Sequence, residues 1–106
     1  MKPGFTFSHI GIPDQTRELP TYLEGAKLYI NDCDAHPFAI EWLKFEEGSC
    51  MPEVLKTKPH IAFWVEDLNA AIAGEKVIVE PFKPFPNLTC AFIENDGIGI
   101  ELMQKS

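Results

Sequence analysis

Two short apolar segments of this chain are each built around a histidine. One is Ser8-His9-Ile10-Gly11-Ile12 and the other is His60-Ile61-Ala62-Phe63-Trp64-Val65. Two further segments set a glutamate among apolar neighbours: Ile40-Glu41-Trp42-Leu43 and Ile100-Glu101-Leu102-Met103. The histidines lie 51 positions apart and the glutamates 60. A repeat of that length is a whole supersecondary module, not a solenoid unit. An ionised carboxylate in an apolar strand is costly unless it is paired, hydrogen-bonded or bound to a cation. The expectation is therefore a fold in which two similar modules bring His9, Glu41, His60 and Glu101 together. Two imidazoles with one or two carboxylates suit a divalent first-row metal such as Zn, Ni, Co, Mn or Fe.

Each residue also has a plainer reading. A single strand histidine is more often a satisfied core or rim residue, and a strand glutamate often faces water. The repetition in both halves is what favours the metal site. His36 lies in the Asp34–Pro37 turn and reads as a solvated loop residue, and Asp32, Asp34, Glu46 and Glu47 read as solvated charge. Of Cys33, Cys50 and Cys90, the last is best placed near a pocket, yet a buried inert thiol is the simpler reading.

Local signals divide the chain into one domain over 1–106, with module one at about 1–47, a linker at about 48–58 and module two at about 59–106. In module one, Phe5–Ile12 reads as a strand with Phe5, Phe7, His9 and Gly11 on one face, because side chains alternate along a strand. A short helix or turn around Pro20–Glu24 follows, with Pro20 at its first position. Ala26–Asn31 and Phe38–Phe45 read as strands. Gly48, Ser49 and Pro52 mark the linker. In module two, His60–Val65 is a strand and Asp67 a helix N-cap. Leu68, Ala71 and Ile72 form an amphipathic stripe, and Gly74 ends the helix. Lys76–Glu80 reads as a strand and proline-rich Pro81–Asn87 as a loop. Leu88–Glu94 and Ile98–Gln104 read as strands joined by a hairpin at Asn95-Asp96-Gly97.

Bulk properties exclude several functions. The 106 residues carry a formal net charge of −7, with a single arginine, Arg17, and scattered lysines. A nucleic-acid footprint needs clustered cations, so no nucleic-acid partner is expected, and a strongly anionic substrate is disfavoured. No apolar run approaches the ~18 residues of a membrane span, and the N-terminus does not read as a signal peptide. An odd number of cysteines without Cys-x-x-Cys spacing reads as free thiols in a reducing cytoplasm.

Taken with His-Ile-Ala-Phe-Trp-Val-Glu-Asp-Leu, Ala91-Phe92-Ile93 and Ile100-Glu101-Leu102-Met103, the chain resembles the vicinal oxygen chelate superfamily. That superfamily includes glyoxalase I, methylmalonyl-CoA epimerase, extradiol dioxygenases and bleomycin-resistance proteins. The resemblance is strongest in Pro59–Gln104 and weaker in Phe5–Phe45, and within the superfamily it points to a short glyoxalase-like subgroup. It implies an α+β fold of two βαβββ modules, the first truncated, forming a cupped, half-barrel mixed sheet with helices outside. It implies metal ligands at His9, Glu41, His60 and Glu101, with Glu101 or Glu41 moving a proton. The implied activity is that of a metal-dependent lyase or isomerase on a small hydroxycarbonyl or dicarbonyl compound. A metal-free drug-sequestering protein is the alternative, and an iron-dependent dioxygenase using His9, His60 and Glu101 a weaker one. The resemblance further implies a homodimer, and the pocket lining expected is Phe7, Leu43, Trp64, Phe92 and Met103.

Overall fold

A computed structural model describes residues 1–106. The first half forms β1 (Phe5–Pro13), β2 (Thr21–Leu23), β3 (Leu28–Ile30) and β4 (Ile40–Phe45). Helix α1 (Glu53–Thr57) then leads to β5 (His60–Val65), α2 (Leu68–Ile72), β6 (Lys76–Phe85), β7 (Leu88–Asn95) and β8 (Ile98–Lys105). All eight strands join one mixed sheet in the order β2-β3-β4-β1-β5-β8-β7-β6. The sheet curls into a cupped half-barrel, as expected.

The two halves use the same wiring. β1 runs parallel to β4 and β5 runs parallel to β8, while β1 and β5 meet antiparallel at the centre. Each histidine strand is thus flanked by the glutamate strand of its own module and by the histidine strand of the other.

The halves differ in their crossovers. In module two, Asp67 caps α2 by accepting from the Ala70 N–H, and Gly74 follows the helix at φ +77°. Leu68 buries against Val65, Ala91, Ile93 and Leu102 on the outer face of the sheet. Module one has no helix there. Side chains tie down the crossover between Pro13 and Pro20 instead. Asp14 accepts from the Thr16 N–H and hydroxyl, and Gln15 both donates to and accepts from the Phe45 backbone. Arg17 lies 3.5 Å from the Trp42 ring centroid.

Three local expectations change. Around Pro20–Glu24 there is no helix: Thr21–Leu23 forms β2, because β-favouring Thr and Tyr pair with β3. The linker holds α1, whose Leu55 is 1% exposed and packs with Leu43, Phe45 and Phe92 on the concave side. Thus α2 lies outside, whereas α1 closes the cup. Pro81–Asn87 is not a loop, since β6 runs on to Phe85 through register shifts. Prolines are tolerated there because β6 is an edge strand. The hairpin holds as expected, with Asp96 and Gly97 both at positive φ between β7 and β8, as a two-residue type I′ turn requires.

Candidate metal centre

The register of the central strands assembles the cluster. Gly11 pairs with His60 across β1–β5 and with Glu41 across β1–β4. Ala62 pairs with His9 on β1 and with Glu101 on β8. Two small residues therefore form the floor, and each has a histidine on one side and a glutamate on the other. Gly11 must be small, because a Cβ there would lie 2.1 Å from His60 Cε1.

One ligand atom from each of His9, Glu41, His60 and Glu101 lies within 4.8 Å of all the others. His60 Nε2 is 3.1 Å from Glu101 Oε1, and His9 Nε2 is 3.4 Å from the same oxygen and 3.5 Å from Glu41 Oε1. Charge-assisted N–H···O bonds are shorter, about 2.7–2.9 Å, and His9 Nε2 is buried with no hydrogen-bond partner. Donors held ~2.1 Å from a common ion stand roughly 3.0–3.4 Å apart, close to these three separations but less than the 4.8 Å within which the whole set lies. Ser8 Oγ lies 3.0 Å from His9 Nδ1 and accepts its N–H in the tautomer that leaves the Nε2 lone pair facing the cluster. His60 Nδ1, in contrast, is buried and unpartnered.

The electrostatics follow from burial and proximity. Burial alone lowers the His9 pKa, but the side chains of Cys33, Glu101 and Glu41 outweigh it and raise the value to about 12. Burial favours the neutral form of Glu101, yet the hydrogen bond with His60 and the charge of His60 and His9 pull its carboxyl below the usual carboxylate range. Cys90 is pushed up by burial and then by the charge of Glu101, so it is an inert thiol. These shifts set a stability window for metal-free protein. The raised His9 contributes fully below its ordinary 6.5, and that contribution is lost as pH climbs toward about 12. The lowered Glu101 contributes above its ordinary 4.5 and loses this as pH falls through its folded value. Melting curves of metal-free protein should peak between about pH 4.5 and 6.5; a Tm that climbs steadily above that window would contradict the assignment.

The cluster sits at the base of a cavity of about 420 Å³. Leu43, Trp64, Phe92 and Met103 line it, as expected. Phe7 does not: it is 46% exposed and meets Phe63 edge-on, at 6.4 Å between ring centroids, on the outer face. The reason is a β-bulge between Phe7 and His9, which turns Ser8 and His9 inward together and breaks the alternation. Replacing Phe7 by Ala should leave affinity for a cavity ligand unchanged, whereas Trp64→Ala should weaken it about tenfold or more. Titration calorimetry with one aromatic ligand decides this, and a loss with Phe7→Ala would place that ring in the wall after all.

Sequence reasoning did not single out three lining residues: Cys33 beside His9, Leu55 from α1 and Phe82 from β6. The one available signal was the aromatic content of the proline-rich stretch. His36 stays out of the cluster, and its Nδ1 accepts from the Phe38 N–H.

No family model and no curated protein sequence matches the chain. A solved structure of a hypothetical protein from Bacillus halodurans C-125 superposes with a TM-score of 0.68, over 96% of this chain and 95% of that one, at 19% identity. At that identity the likeness concerns the fold alone. No helix is long and apolar enough to cross a membrane.

Proposed function

We propose that this chain is a metal-dependent lyase or isomerase of the vicinal oxygen chelate superfamily, acting on a small hydroxycarbonyl or dicarbonyl compound. The observation that carries the reading is the convergence of four ligand atoms, two from each module, at the base of an apolar cavity. His9 and His60 through Nε2, and Glu41 and Glu101 through a carboxylate oxygen, would hold a divalent transition metal. Bound there, the ion supplies Lewis-acid polarisation of two substrate oxygens.

The chain's own residues divide the remaining tasks. Glu101 is gripped by both histidines and is the anchoring carboxylate. Glu41 touches only His9, at the longest of the three distances, and its side chain is more exposed, 16% against 11%. Glu41 is therefore the carboxylate free to take a proton from the substrate carbon and return it. Trp64, Met103 and Phe92 shield that exchange from bulk water.

Elemental analysis of purified protein tests the reading, and near-stoichiometric transition metal is the expected result. No metal, together with no rise in Tm on adding Zn, Ni, Mn or Fe, would leave a metal-free ligand-binding protein. A homodimer in the cytoplasm belongs to the same proposal, and a monomeric mass in light scattering would remove the dimer from it.

A further inference from the structure

The cavity wall contains no lysine or arginine. Its charged residues, apart from the histidines, are all acids: Glu41 and Glu101 at the base, and Asp32 and Asp34 exposed at the rim. None of the nine Lys and Arg residues reaches it. Lys83 sits between the lining residues Phe82 and Pro84, yet its Nζ lies against Ser106 Oγ at 3.5 Å. Arg17 is committed to Asp14 and to the Trp42 ring. A divalent ion in the four-donor set would offset Glu41 and Glu101 and leave no positive charge over. The His9 ring is itself faced by both carboxylates. Sixteen of the 26 lining residues are hydrophobic, so a carboxylate or phosphate held against this wall sheds its water and meets no lysine or arginine there. An uncharged molecule escapes that penalty and still meets Trp64, Phe82 and Met103. A cavity of about 420 Å³ has room for one ring-bearing compound.

We infer that the substrate is an uncharged, mainly apolar hydroxycarbonyl or dicarbonyl compound, and that the wall rejects anionic analogues of the same shape. The dicarbonyl part rests on the proposed metal-dependent function, whereas the charge preference rests on the wall alone.

Two near-isosteric probes separate the cases. 1-Phenylpropane-1,2-dione is neutral, and benzoylformate carries a carboxylate in place of its acetyl group. Both are titrated calorimetrically into the full chain, zinc-loaded and metal-free, with zinc content measured separately. The dione is expected to bind at least tenfold more tightly in the metal-free form, which reads the wall alone; in the zinc-loaded form the carboxylate can also reach the ion. Equal or tighter binding of benzoylformate in the metal-free form, or no binding of either probe at millimolar concentration, overturns the inference. Phe85→Lys places a cation at the rim, where Phe85 is 39% exposed. It should shift the ratio of the two affinities toward benzoylformate about tenfold; an unchanged ratio also overturns the inference. Failure to load zinc would instead count against the metal-dependent function, and the metal-free comparison would still decide the charge preference.

Discussion

Glu101→Gln and Glu41→Gln are expected to fail in different ways. Glu101 Oε1 is the one oxygen shared by both histidines, at 3.1 and 3.4 Å. An amide in its place loses the negative charge and offers only a weak neutral oxygen. Loss of a mere supporting partner costs roughly 10–100-fold in metal affinity, so loss of this ligand should cost more than about 100-fold. The metal content of purified Glu101→Gln should drop to a small fraction of the wild-type value. Glu41→Gln should keep a substantial part of its metal, because His9, His60 and Glu101 remain. Its expected loss is in turnover, about 10²–10⁴-fold, the usual worth of a positioned proton carrier. Competition with a chromogenic chelator measures the first effect, and exchange of the substrate C–H proton into deuterated water measures the second. Equal metal loss in both variants would remove the distinction between anchor and proton carrier. Full metal retention in Glu101→Gln would remove the site.

Gly11→Val should damage both the fold and the site. A Cβ at Gly11 would lie 2.1 Å from Cε1, 2.5 Å from Nε2 and 2.6 Å from Nδ1 of His60. His60 is 2% exposed and its ring stands 5.3 Å from that of Phe92, so the ring can yield only by leaving its place in the cluster. Overpacking a core costs about 1–3 kcal/mol and occasionally more, and a branched side chain at this distance belongs at the upper end. About 3 kcal/mol lowers Tm by roughly 12 °C or more in a domain of this size. Metal binding should fall as well, because the displaced ring is itself a ligand. If Gly11→Val does not fold, Gly11→Ala carries the test at smaller amplitude. Ala62→Gly is the control: removing one methyl opposite His9 should cost about 1 kcal/mol in an extended strand and keep the metal. Wild-type Tm and metal content in Gly11→Ala would show that the ring does not lie where the structure has it.

The strands that carry the site were the most readable part of the chain. His60–Val65 and Ile98–Gln104 have period-2 apolar patterns, and their bounds differ little from β5 and β8. Helix α2 announced itself through Asp67, the Leu68-Ala71-Ile72 stripe and Gly74. The misread segments share a cause, because in each the deciding partner lies outside the segment itself. Thr21–Leu23 becomes a strand through pairing with Leu28–Ile30 and, beyond it, β4. Leu55 is a single apolar residue without periodic company, yet it is 1% exposed because Gly99 leaves a hollow for it. Pro81 and Pro84 looked like loop residues until the sheet order put β6 at an edge, where a missing N–H donor costs nothing.

The sequence by itself determined the four donors, the two-module plan and the acidic, apolar character of the chain. These follow from local chemistry: which residues can bind a cation, which alternate along a strand, and how often the pattern recurs. Only the tertiary structure decided which residues face one another. The antiparallel meeting of β1 and β5 sets His60 over Gly11 and His9 beside Ala62, so each module's small residue makes room for the other's histidine. The bulge between Phe7 and His9 removes Phe7 from the wall and puts Ser8 beside the His9 ring. Strand register is a property of two segments at once, and a single segment's sequence does not carry it.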